Sequence, residues 1–479
     1  MSCVRKTKKM KSLKYGLKPW KIAGSVALPL LAGYVPAAYG QTATPTLAGT
    51  AQAPALPRAS FKQPDTLGLQ ALGAPLGKTL AQHGVYFTGR LLAEPQAQVS
   101  GGLKRGQFYE GYVAVGADLD MNKILGIKGG VMHISIGDLQ GQPYYNYTGS
   151  AYLYNRAWVY GDEFRLAELD WEQTLFNDRV RFIAGRFSLS SEFDSSFTYC
   201  QFAYSGCANP SAFIFDKSAM PYLTSSWAGA VTLKPTKTTY IKGGAFADEA
   251  SLATANHNNW PGSDWAFNKN TGATFPFQVG YITTPVESRY PEHYDIGGFY
   301  DTTPYKAPSS GAHLHGRSGV YIQAEKMVWH PLDAPYKSLT VFSAANWGTT
   351  GDVAIEHEFE AGLRVNGLWS ARPYDNFGFS AQYLALNHGM IRRYNQRLTK
   401  EDYNPTLKNN EIGFEANYGI FVAPGMQFTP FVFYALHPEQ LAQYGHVYPG
   451  VNHSLTIGAA FTINFAQALG MPALRRHPF

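Results

Sequence analysis

Three carboxylates stand two residues apart at Glu168, Asp170 and Glu172, and on an extended chain that spacing puts all three on one face. Arg181 follows across a turn at Asn177-Asp178. Antiparallel pairing about that turn sets Thr174 opposite Arg181 and leaves Arg181 diagonal to Glu172, within reach of a cross-strand ion pair. Arg90 and Glu94 share one parity on an earlier stretch, and Glu358, Glu360 and Arg364 repeat the arrangement far downstream. Two chemistries use such sets. A carboxylate accepts from two adjacent hydroxyls and a guanidinium donates to two, so a ladder of both signs can hold a hydroxyl-rich molecule with no covalent step. The other is hydrolysis of a glycosidic bond by paired carboxylates. Alternate residues on a strand lie roughly 7 Å apart, which suits that work, but two groups on one strand sit on the same side of a substrate and hydrolysis needs them on opposite sides. For any single residue the plain alternative is a wet strand face with structural ion pairs.

Other reactive patterns are poor. His313-Leu314-His315 puts two imidazoles at strand spacing without a further ligand set nearby, so no metal site is expected. The sequence holds no Gly-rich phosphate loop, no His-Glu-x-x-His and no Gly-x-Ser-x-Gly, and no cofactor or catalytic residue is expected.

The elements that must position these residues begin after an export signal. Eight Lys and Arg precede an apolar stretch from Ile22 to Val35 that ends in Ala38-Tyr39-Gly40, the layout of a secretory leader over 1–40. The whole chain has a formal charge of +6, but this leader carries eight of the forty basic residues and none of the thirty-four acidic ones. The remainder is slightly acidic. A basic surface for nucleic acid is therefore not expected. Cys3 lies in the leader, which leaves Cys200 and Cys207 in an exported chain, and oxidising compartments favour pairing. Residues 41–66, rich in Ala, Pro, Thr and Gln, read as a disordered linker, and 67–84 as a lead-in with one short helix.

From Val85 onward the chain alternates. Thr88, Arg90, Glu94, Gln96 and Gln98 share one parity, and Val85, Phe87, Leu91, Ala93 and Val99 the other. Phe359, Ala361, Leu363 and Val365 interleave with Glu358, Glu360, Gly362 and Arg364, and Leu455, Ile457, Ala459, Phe461, Ile463 and Phe465 form the last such row. No run of eighteen apolar residues follows the leader, and Asn417 to Leu436, interrupted by Pro424-Gly425, reads as two strands and a tight turn. Seven short connections, near Asn122, Asn177-Asp178, Pro235, 285–291, 331–335, 372–376 and Pro424-Gly425, alternate with eight long ones, near 99–108, 138–163, 190–225, 249–275, 302–317, 347–355, 388–410 and 438–452. That rhythm predicts sixteen antiparallel strands over 85–465, closed into a transmembrane all-β barrel with short periplasmic turns and long extracellular loops, followed by a tail over 466–479. A soluble β-sandwich shares the periodicity. Strands of ten or more residues and an aromatic content of 14% favour the barrel.

From about Leu76 to Phe465 the sequence resembles the carbohydrate-selective porins of the OprB type. The resemblance rests on Tyr112-Val113-Ala114-Val115-Gly116-Ala117-Asp118-Leu119-Asp120, on Arg165-Leu166-Ala167-Glu168-Leu169 with Glu172-Gln173, and on Ala184-Gly185-Arg186-Phe187. Tyr294-Asp295-Ile296-Gly297-Gly298-Phe299-Tyr300-Asp301 and Glu360-Ala361-Gly362-Leu363 continue it in the same order, and Cys200 and Cys207 look like that family's paired-Cys segment. The resemblance implies an outer-membrane barrel of a Gram-negative bacterium, monomeric or trimeric, that passes glucose and related sugars by facilitated diffusion. A third long loop folded inward would then narrow the channel, with Glu192, Asp194, Tyr199, Phe213 and Phe215 on it. Partners implied are the carbohydrate, outer-membrane lipid and the barrel-assembly machinery. Phe465 and Phe479 both offer the terminal aromatic that this machinery reads. Competing readings are a general small-solute pore and a barrel-embedded or secreted hydrolase.

Overall fold

The computed structural model describes residues 71, 73–150, 153, 155–157, 163–196, 198, 201–204, 212, 223–249, 270–401, 407–438, 450–472 and 474. Sixteen strands run β1 Val85–Gly101, β2 Gly106–Asp120, β3 Gly130–Gly141, β4 Glu163–Leu175, β5 Val180–Phe187, β6 Ser226–Leu233, β7 Thr239–Glu249 and β8 Asn270–Ile282 through the first half. The second half holds β9 Glu292–Lys306, β10 His313–Trp329, β11 Ser338–Thr350, β12 Ile355–Asn366, β13 Asn376–Leu386, β14 Asn410–Ala423, β15 Met426–Leu436 and β16 His453–Asn464. Each strand pairs antiparallel with its sequence neighbours, and β1 pairs with β16 through Arg90↔Asn464, Ala93↔Phe461 and Ala97↔Ile457, so the sheet closes without an edge. No described helix is long and apolar enough to cross a membrane. The crossing is made by strands, whose hydrogen-bonded ladders run round a closed ring, as hydrocarbon requires.

The two parities of the strands settle which side is which. Ile134, Ile136, Phe277, Val279, Ile296, Val320, Ile322, Phe359, Val432 and Ile457 are exposed on the outer wall, while Glu94, Asp118, Asp170, Asp295, Glu358 and Glu415 are buried inside. A soluble sandwich buries its apolar faces and wets its polar ones. Here the order is inverted, and only lipid outside the wall makes that inversion favourable.

All seven short connections lie where the turn residues place them. The β14–β15 turn is Pro424-Gly425, with Gly425 at φ 76°, and an added side chain there would meet the Asn464 carbonyl. Three connections expected to be long are short: β1 and β2 are joined by 102–105, β9 and β10 by 307–312, and β11 and β12 by 351–354. The strands simply continue where the apolar outer row gives out, with His313↔Lys306 and Leu314↔Tyr305 still in register, and Thr302, Pro304 and Lys306 on the outer parity resemble loop sequence. The last alternating row also ends one residue early. The Asn464 side chain accepts from Gln467 N at 3.0 Å and starts a short helix over Phe465–Ala468, so Phe465 leaves the strand. Leu469 and Met471 then pack on Gly73 and Gly77 beside the helix Ala74–Gln82.

Candidate functional site

Glu168, Asp170 and Glu172 all face the lumen on β4 and are each 4–5% exposed. A register shift at Ser135/Ile136, where β3 meets β4, falls just before Glu168 and turns Arg165 and Ala167 to this face as well. Across the β4–β5 turn Thr174 lies opposite Arg181, and Arg181 Nε reaches Glu172 Oε2 at 2.8 Å. The same guanidinium makes a two-pronged pair with Glu192 on the β5–β6 loop, at 2.7 and 2.8 Å. Such forks are the strongest charge-assisted bonds available to side chains. One arginine thus ties the wall to the loop. Burial works against charge on Glu192, but Arg181 and its hydrogen bonds hold that carboxyl below the usual glutamate range. Lys242 Nζ donates to the Glu192 carbonyl at 2.9 Å. Behind the row, His133 Nδ1 lies 2.6 Å from Asp118 Oδ1, with its Nε2 3.9 Å from Asp170 and 3.8 Å from Glu172, and Ser135 donates to Glu168 at 3.2 Å.

The remaining wall residues singled out by sequence occupy the same inward parity on the distant strands β1 and β12. Arg90 is half-buried on β1. Glu94 is fully buried and accepts from Arg156 Nε at 2.6 Å, Arg156 coming from the β3–β4 loop. Glu358 is fully buried and accepts Ala212 N at 2.7 Å. Glu360 and Arg364 are buried beside it on β12. Glu94 and Glu358 are therefore occupied in holding loops inside the barrel. Arg186, on the outer parity, is also fully buried and donates to Ser225 Oγ at 3.2 Å and Ser225 O at 2.8 Å. Cys200, Cys207, Tyr199, Phe213, Phe215 and Phe479 lie outside the described residues. Among the described residues no group of three or more His, Cys, Asp or Glu is placed to hold a metal ion.

Several lumen groups escaped the sequence reading. Glu110 accepts Tyr144 N at 3.0 Å, and Glu415 accepts Ala203 N at 3.0 Å and Tyr204 N at 2.8 Å. Glu325 accepts from Ser196 and Thr198, while His293 bridges Glu325 and Asp295 at 3.4 and 2.7 Å. Wall carboxylates thus satisfy loop N–H and O–H groups that would otherwise be buried without partners. The signal for Glu110 and Glu415 was their parity. Arg156 and Tyr204 sit in irregular segments with no period to betray them.

Lys234, in the turn between β6 and β7, is 8% exposed, and burial pulls its ammonium down to about 8, with Arg181 and Lys242 adding to that against Asp178. Because the value is depressed, the charge is present below about pH 8 and lost above it. Raising the pH from about 7 to about 9 should therefore make the periplasmic mouth more cation-preferring. Zero-current potentials under a salt gradient would read this, and Lys234→Met should show the high-pH preference already at neutral pH.

A closed barrel with an apolar exterior, a charged interior and loops folded into the lumen is an outer-membrane channel of the porin class. A model of the carbohydrate-selective porin, OprB family, matches residues 104–465, three quarters of the chain, and the chain belongs to that family. The high-pH structure of Pseudomonas putida OprB superposes with a TM-score of 0.72 at 20% identity, covering 81% of this chain and 96% of that one. The low-pH structure of the same protein gives 0.51 at 17% identity, covering 82% and 97%. A search of curated proteins finds no match. The protein is thus a multi-pass barrel of the Gram-negative outer membrane, serving the diffusion of carbohydrates.

Proposed function

We propose that glucose and related sugars cross this barrel between the inward loops and the wall, passing the row Glu168, Asp170 and Glu172 with Arg181, and then Arg90, Glu360 and Arg364. The observation that carries the proposal is Arg181 held between Glu172 and Glu192, which sets carboxylates and a guanidinium side by side where the loop meets the wall. Hydroxyls exchanging water for these groups gain on the order of 1 kcal/mol net per bond. Several weak, sequential exchanges favour entry and still permit release. Glu94 and Glu358 serve the path indirectly, by fixing the loops that bound it. Export through the leader over 1–40, insertion by the barrel-assembly machinery with Phe465 or Phe479 as its terminal aromatic, and function as a monomer or homotrimer complete the proposal.

The test is planar-bilayer conductance of the purified, refolded protein, titrated with glucose. Saturable block is expected. Stable conductance indifferent to glucose would replace the sugar path with a general small-solute pore, and folded protein without conductance would leave a plugged barrel or a hydrolase to be assayed with aryl glycosides.

A further inference from the structure

The β5–β6 loop does more than approach the wall near its root. Its described residues touch the barrel at one strand after another: Glu192 on β5 through Arg181, Asp194 N on Gln278 of β8 at 3.0 Å, and Ser196 and Thr198 on Glu325 of β10. Phe202 then stands 5.6 Å from Phe342 of β11, ring centre to ring centre, and Ala203 and Tyr204 reach Glu415 of β14. The traverse ends on one side chain. The Tyr204 ring lies flat on Phe433 of β15, centroids 4.0 Å apart and planes 4° from parallel, and its hydroxyl donates to Gln96 Oε1 of β1 at 2.6 Å. Tyr204 is 1% exposed.

The β3–β4 loop arrives at the same place. Arg156 N donates to the Ala203 carbonyl at 2.7 Å while its side chain pairs with Glu94 of β1. Tyr144 meets Tyr204 edge-on at 5.7 Å, and its backbone N–H bonds to Glu110, which also accepts from Gln96 at 3.4 Å. Two loops and three wall strands therefore converge on a single aromatic ring.

We infer that Tyr204 is the positioning residue that sets the pore's size limit, bolting the far end of the β5–β6 loop, and the β3–β4 loop with it, to the wall at β1, β14 and β15. The free cross-section is what these loops leave of the barrel. Truncating the ring removes the stack and the hydroxyl bond together, so the hold on β1 and β15 is lost while Phe202 on Phe342, Gln201 O on Asn417, Ala212 N on Glu358 and the two N–H bonds to Glu415 remain. The inference rests on the sugar path proposed above, since a size limit matters only to a channel that sieves its solutes.

Liposome swelling with glucose, maltose and maltotriose, using the refolded full-length chain, tests it. The expected result for Tyr204→Ala is a severalfold rise in the rate for maltotriose relative to glucose, with Tyr204→Phe close to wild type because the stacked ring remains. A residue that only stabilised the barrel would lower the yield of folded protein and leave that ratio unchanged. Should Tyr204→Ala fail to fold, Glu415→Gln weakens the same tip, and a rise in the same ratio is expected. Wild-type sieving that persists unaltered in Tyr204→Ala, or in Glu415→Gln where that is the variant measured, overturns the inference alone. A wild-type channel that admits maltotriose as fast as glucose overturns the sugar-sieve reading, and the inference falls with it.

Discussion

Arg181→Met is expected to free the root of the β5–β6 loop and to cost more stability than any other single change in the lumen. The substitution removes three charge-assisted bonds at once and takes the guanidinium from between Glu172 and Glu192, both buried. Breaking a buried ion pair from one side costs about 3–5 kcal/mol, because the remaining charge keeps its desolvation penalty and loses its partner. The barrel itself is held by strand pairing all round the ring, so the loss should appear as loop release rather than unfolding. Single-channel recordings should show a larger and noisier conductance, and the heat-modifiable shift of the folded barrel on a gel should persist. A quiet channel of wild-type conductance would remove Arg181 from the set of groups that hold the loop.

The second large effect concerns the solute. Glu168→Gln, Asp170→Asn and Glu172→Gln combined keep an acceptor at each position and remove three negative charges from one stretch of wall. Amide oxygens still bond to Ser135 and to Arg181 in the same places, so the local packing is retained. Hydrogen bonds to a charged group are worth roughly 1.5–3 kcal/mol against about 1 for neutral partners. A loss of roughly 0.5–1 kcal/mol at each of three positions totals roughly 1.5–3 kcal/mol and weakens half-saturation by glucose by roughly ten- to a hundredfold. Cation preference should fall in the same protein. Unchanged block by glucose would take these three residues out of the sugar path, whatever happened to ion selectivity.

The strands were legible because period two survives wherever one face meets lipid and the other meets charge. Phe359 and Phe461 could be assigned to the outer wall, and Glu358 and Glu360 to the inner one, from parity alone. Arg181 was placed correctly against Glu172 because a tight turn fixes register, and register fixes neighbours. The boundaries that went astray did so for a related reason. Toward their loop-side ends β9 and β10 carry mostly polar residues on both faces, so Thr302 to Lys306 and His313 to Arg317 read as loop although their ladder continues. Phe465 kept the alternation but not the strand, since a helix cap at Asn464 intervenes and a cap is a side-chain event that periodicity does not report. The contacts of Arg156 and Tyr204 were beyond reach for a deeper reason. They depend on where loops from different hairpins meet inside a ring, and no local pattern encodes a meeting between residues separated by hundreds of positions, such as Tyr204 with Glu415.

The pairing of β1 with β16 has a bearing on how the cell handles incomplete copies. Every other ladder in the ring joins neighbours in sequence and can form as the chain is delivered, whereas this one joins the first strand to the last and must wait for the final segment. A copy truncated before β16 would present two open rims of unpaired backbone to the hydrocarbon, each orphaned group costing several kcal/mol. Closure in hydrocarbon therefore depends on the last strand as much as on the first, and Leu469 packed against Gly73 and Gly77 ties together the segments that flank this seam.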